Sequence, residues 1–107
     1  MNKRKFNNTT VFDGEEKFDS KKEYERWKEL QLMERAGVIS NLKRQVKFVL
    51  FEKSKHGRER SYIADFCYWL DGQYVVEDVK SKATKTQLYL YKKRHMAEKY
   101  EIVILET

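Results

Sequence analysis

Proline is absent from the 107 residues, cysteine occurs once, and glycine only four times. Each shortage excludes something. A single cysteine, Cys67, rules out an internal disulfide, so the chain is expected to fold in a reducing cytoplasm. Four scattered glycines cannot supply a glycine-rich phosphate loop. His56 and His95 have no zinc-like spacing with Cys67. No uncharged apolar run approaches the length of a membrane span, and the basic opening "MNKRKFNNTT" is not followed by the apolar stretch of a secretory signal. No repeat or low-complexity linker is present.

Charge and aromatic residues are plentiful. Charged residues make up 37% of the chain and aromatics 14%, which suits a soluble globular domain and argues against disorder. The net charge is +6 and the sequence pI is about 9.4, a balance that favours polyanionic partners. Residues 1–10 read as a flexible basic arm, and 11–107 as one domain with a single modest core.

"TVFDGEEKFDS" reads as a small hairpin around Asp13-Gly14, ending at Ser20, a good helix cap. A helical pattern runs from Lys21 to about Ala36, with Gly37 as its stop. "NLKRQVKFVLFE" alternates like a strand, with Val46, Phe48 and Leu50 on one face. After the charged loop "EKSKHGRER" come the strands "SYIADFCYWL" and "QYVVEDVK", joined by Asp71-Gly72. "TKTQLYLYKKRHMAEKY" reads as a second helix with Leu88, Tyr91 and Met96 on its apolar side. "EIVILE" reads as a last, very apolar, interior strand. The order predicts an α/β (α+β) domain with a mixed sheet, the last helix crossing over to a parallel strand.

The hairpin around Asp71-Gly72 raises the chemical question. With those two residues as its loop, Leu70 pairs with Gln73, Trp69 with Tyr74, and so on until Asp65 faces Asp78. Directly opposed residues have Cβ atoms about 4.5–5.5 Å apart on one face of the sheet. Lys80, two positions on from Asp78, points the same way, whereas Glu77 points to the other side. Opposed like charges destabilise a sheet by up to about 1 kcal/mol when exposed, and by more when buried. A hard divalent ion held by both acids resolves the conflict, and so does a solvated, frayed hairpin end with Lys80 neutralising one of them. On the first helix Glu23 falls within about 10° of the centre of the apolar arc formed by Tyr24, Trp27, Leu30 and Met33. It either reaches the same site or sits in water at the helix N-terminus, where acids are favoured. Lys82, Lys85, Lys92, Lys93 and Arg94, interleaved with Tyr89 and Tyr91, fit either a phosphate backbone or a solvated helix face.

These residues, in this order, resemble the PD-(D/E)xK nuclease superfamily, with Glu23 in "SKKEYERW", Asp65 in "YIADF" and Asp78-Val79-Lys80 in "VEDVKS". More closely, the chain after residue 10 is similar to a small phage and prophage family of uncharacterised proteins placed in that superfamily, whose relatives include Holliday-junction resolvases. The resemblance implies a restriction-endonuclease-like α-β-β-β-α-β core and Mg²⁺-dependent, or Mn²⁺-dependent, cleavage of DNA phosphodiesters. Asp65, Asp78 and the Val79 carbonyl would be metal ligands, with Glu23 completing the set directly or through water. Lys80 would orient or deprotonate the attacking water. Gln45 and Lys92 stand where family members carry further polar residues. DNA, branched forms included, is the expected partner. Paired nicks need two sites, so a homodimer is expected; no membrane and no small-molecule cofactor are. The alternative is a nucleic-acid-binding module on the same scaffold without catalysis; an interaction protein that is merely basic is a third reading.

Overall fold

The computed structural model describes residues 9–107, with Lys82 described by its backbone alone. The first eight residues of the expected arm, and the Lys82 side chain, therefore lie outside the described residues. The elements run β1 (Val11–Asp13), β2 (Glu16–Phe18), α1 (Lys21–Arg35), β3 (Ile39–Phe51), β4 (Arg60–Leu70), β5 (Gln73–Asp78), α2 (Gln87–Tyr100) and β6 (Leu105–Glu106), with a 3₁₀ turn at Lys82–Thr84. β1 and β2 form a separate hairpin, and the main sheet has the order β3-β4-β5-β6. Its first three strands are antiparallel and β6 runs parallel to β5. From α1 onward this is an α+β domain with the α-β-β-β-α-β order of a restriction-endonuclease-like core. Among the described residues no helix is long and apolar enough to cross a membrane.

Local chemistry sets the element ends. The Ser20 hydroxyl accepts the Glu23 amide at 3.1 Å, satisfying one of the orphan donors of α1's first turn. At the other end Gly37, with φ +78°, donates to the Glu34 carbonyl, and Val38 donates to that of Met33. This is a Schellman closure, and its left-handed residue is the one position there where a side chain would be strained. Asp71 and Gly72 have φ of +50° and +76°, as a two-residue turn between twisted antiparallel strands requires. The turn sets the ladder from Leu70↔Gln73 to Phe66↔Glu77, the register read from the sequence.

Two cores flank the sheet. Leu50, Tyr62, Ala64, Cys67, Val76 and Ile104 pack with Tyr89 and Met96 of α2. Ile39, Phe66 and Tyr68 pack with Leu30 of α1, and Trp27 stacks on Phe66 with centroids 5.8 Å apart. Phe66 is fully buried, so Phe66→Ala would cost about 3–5 kcal/mol.

Two expectations are corrected. The final strand is not interior: β6 has two residues at the sheet edge, preceded by Val103 at 79% exposure. Only Ile102 and Ile104 of that apolar run turn to the α2 core, because β5 is its one neighbouring strand. The buried face of α2 is also different. Leu88 and Tyr91 are exposed, while Tyr89 and Met96 are buried. Tyr89 can enter the core because its hydroxyl finds Glu106 at 2.8 Å, a partner that apolar periodicity does not reveal.

Candidate functional site

The ladder ends one step short of Asp65 and Asp78, and its register sets these two acids opposite each other at the open end of the β4-β5 hairpin. Asp65 Oδ2 accepts the Val79 amide at 2.8 Å. Asp78, which is almost fully buried, accepts the Tyr62 hydroxyl at 2.9 Å on Oδ2, and the Lys80 ammonium stands 3.4 Å from the same oxygen. The Asp65 carboxyl is held far above the usual carboxylate range. Burial is the main cause, followed by its hydrogen bond to the Asp78 carboxyl and the charges of Asp78 and Glu23; the Val79 amide opposes the shift. The conflict anticipated from the hairpin register is present in the structure, with Asp78 buried, Asp65 half-buried and Lys80 close enough to offset the charge of Asp78.

Backbone geometry around the pair is irregular. Tyr62 and Ala64 lie with the α2 core, whereas Phe66 and Tyr68, of the same parity, lie with the α1 core. Strict alternation therefore fails beside Asp65. Across the ladder, between the pairs Arg44↔Phe66 and Val46↔Ala64, Gln45 has φ +54°, an uncommon conformation for a residue with a side chain.

Lys80 lies beyond the end of β5 but is not on a free loop. Its amide donates to the Thr107 carbonyl and the Thr107 amide donates to the Asp78 carbonyl, both at 3.0 Å, so the residues after β6 hold the Asp78-Val79-Lys80 segment. Lys22 Nζ donates to the Lys80 carbonyl at 3.1 Å, and the Lys80 ammonium sits 4.4 Å from the centre of the Tyr89 ring.

Glu23 is 4% exposed at the first turn of α1. Burial and the neighbouring Asp19 raise its pKa, and Arg44 opposes them. Its Oε2 lies 3.5 Å from Arg44 Nη2 and 3.4 Å from Gln45 Nε2. Arg44 in turn packs over the Phe18 ring at 3.9 Å and pairs with Glu16, tying the β1-β2 hairpin to this carboxylate. Glu23 thus stands beside the acid pair with partners of its own. Among the described residues no three His, Cys, Asp or Glu side chains converge into a group that could hold a metal. The donor set is a two-carboxylate half-site next to the Val79 backbone. That chemistry fits a hard cation such as Mg²⁺ or Mn²⁺, which takes one or two carboxylates and completes its shell with water and phosphate oxygens. A cation between the acids would offset the charges of Asp78 and Glu23, which add to the effect of burial at Asp65.

Two clefts open onto the pair. One, of about 550 Å³, is lined by Asp19, Lys22, Glu23, Asp65, Val79, Lys80 and Ser81 among others. The second, of about 460 Å³, is lined by Gln45, Tyr62, Ile63, Asp78, Leu88 and Lys92. Asp19, Asp65 and Lys80 border both. Gln45 and Lys92 are therefore brought to the site. Asp19 and Tyr62 were not singled out for it from the sequence, and Tyr89 was read only as part of the basic, aromatic stretch. Asp19 had a local signal, an acid directly before a helix cap; Tyr62 had none, because its role depends on which strand and helix it faces.

The basic stretch is dispersed. Lys85 and Lys93 each pair with Glu106 at 3.0 Å, and Arg94 pairs with Glu98 at 2.8 Å. Burial alone would raise the Glu106 pKa, but hydrogen bonds from Lys85, Tyr89 and Lys93 outweigh it and bring it down to about 2. Among the described side chains, Lys92 is the one cation of the stretch that lines the cleft beside Asp78. Glu77 faces the opposite side, as alternation requires, yet is fully buried. It accepts Arg26 Nε at 2.6 Å and Nη2 at 3.0 Å, the Tyr68 hydroxyl at 2.7 Å and the Thr107 hydroxyl at 2.9 Å.

Neither the curated proteins nor the solved structures contain a match to this chain. Its residues 3–106 do match one family model, and the chain belongs to that family, described as "Protein of unknown function (DUF1064)".

Proposed function

We propose that this protein is a metal-dependent endonuclease of the PD-(D/E)xK type that hydrolyses DNA phosphodiester bonds in the cytoplasm, as a homodimer, on DNA that includes branched forms. The observation that carries the reading is the pairing of half-buried Asp65 with buried Asp78, with Lys80 Nζ 3.4 Å from Asp78 and Asp65 and Lys80 bordering two open clefts. A bound Mg²⁺ or Mn²⁺ would supply Lewis acidity at the phosphate and acidify a water. Asp65 and Asp78, with the Val79 carbonyl, would hold it. Tyr62 and the Val79 amide each occupy one oxygen of a carboxylate, which restricts how the two acids can turn. Lys80 would orient the attacking water and offset charge building on the phosphate. Glu23 would act from beside the pair through water, oriented by Arg44 and Gln45. Lys92 would steer the strand into the cleft.

The test is cleavage of linear, nicked, flapped and four-way-junction DNA with Mg²⁺ or Mn²⁺. Asp65→Asn, Asp78→Asn and Lys80→Ala should each lower the rate by at least about a hundredfold while the fold is kept. Wild-type rates in the aspartate variants would end the assignment. The second reading, a nucleic-acid-binding module without catalysis, draws on the absence of a third converging ligand among the described residues. Salt-sensitive binding with no product in any metal would favour it.

A further inference from the structure

The second cleft has an apolar rim that the catalytic reading leaves unused. Ile63 of β4 and Leu88 in the first turn of α2 line it together with Asp78, Lys80 and Lys92. They are 51% and 59% exposed, and neither belongs to a core cluster. Exposed aliphatic residues scattered singly need no explanation. These two come from different elements and line one cleft, with three acids (Asp19, Asp65 and Asp78) and two lysines (Lys80 and Lys92). Leu88 and Lys92 are also four residues apart on α2, so they stand side by side on one helix face. Tyr91, three residues from Leu88 and 65% exposed, adds a flat ring nearby on the same helix.

Branched aliphatic groups have no favourable contact to offer a phosphate. In a nucleic acid whose phosphate lies against Lys80 and Lys92, the apolar surfaces within reach are the bases. Inserted aliphatic side chains partly unstack a base step, at a cost of a few kcal/mol that is smallest where stacking is already interrupted. We propose that Ile63 and Leu88 form a wedge that enters the base stack beside the phosphate, so that the site selects DNA with an interrupted or easily opened step. This rests on the reading that the acid cleft takes nucleic acid.

The test uses the full chain, in Ca²⁺ buffer, and a short duplex carrying 2-aminopurine at a central step, either continuous or nicked opposite the probe. Binding should raise the probe's fluorescence by at least about twofold, more readily on the nicked duplex. Leu88→Ala should remove most of that rise and weaken binding about five- to tenfold, Ile63→Ala should act in the same direction, and Leu88→Phe should keep the rise. Leu88 is exposed, so these variants do not threaten the fold. Salt-sensitive binding with no fluorescence change, or with Leu88→Ala indistinguishable from wild type, overturns the wedge and leaves the nuclease reading standing. Failure of any duplex to bind removes both.

Discussion

Arg26→Ala should be among the most destabilising single changes outside the apolar core. Among the described residues, Arg26 on α1 is the sole cation bonded to Glu77, whose side chain is fully buried on β5 immediately before Asp78. Truncation would leave that carboxylate with two hydroxyl donors, from Tyr68 and Thr107, and no countercharge. Breaking a buried pair from one side costs about 3–5 kcal/mol. The Arg26 side chain is 22% exposed, so some water can reach the gap, which places the effect near the lower limit, at about 3 kcal/mol. For a domain of this size that corresponds to a fall of roughly 12–18 °C in Tm. Glu77→Gln should cost less, about 1–2 kcal/mol, because it keeps the shape and lets the guanidinium turn to solvent. Replacing both partners, as Arg26→Met with Glu77→Leu, should recover most of the loss. Urea unfolding followed by tryptophan fluorescence measures all three. A loss below about 1 kcal/mol for Arg26→Ala, or an Arg26→Met/Glu77→Leu variant no more stable than Arg26→Ala, would refute the claim that an uncompensated buried charge sets the penalty.

Other outcomes follow from the same geometry. Because the Asp65 pKa is raised on folding, its contribution is fully present below the unfolded value of 3.8 and is lost as pH rises towards the folded value. In EDTA, Tm should therefore fall as pH increases above about 4, and Asp65→Asn should flatten that slope in a thermal scan series. Glu106 behaves oppositely: its pKa is depressed to about 2, so its stabilisation is present above the unfolded value of 4.5 and is lost as pH falls through 2. Glu106→Gln should cost about 1 kcal/mol at pH 7, discounted for partial exposure, and the loss should vanish in strong acid. Lys92→Ala should weaken DNA binding across sequences and lower the salt slope by about one, read from affinities over a salt series.

Short-range rules reach a long way in this chain. Ser20 and Gly37 mark the ends of the first helix, and Asp71-Gly72 sets the hairpin register, because a cap or a tight turn depends on residues within a few positions. That register alone is enough to bring Asp65 across from Asp78, and it also sends Glu77 to the other face. What could not be read locally depends on partners distant in the chain. The burial of Tyr89 requires Glu106, the firmness of Lys80 requires Thr107, and the confinement of Asp78 requires Tyr62. The run of lysines looked like one basic face, but tertiary packing brings Glu106 between Lys85 and Lys93 and turns Lys92 towards the acids. Sequence determined the turn and hence the meeting of two like charges. The fold decided how deeply they are buried and which groups hold them, since desolvation and hydrogen bonding are properties of the assembled neighbours.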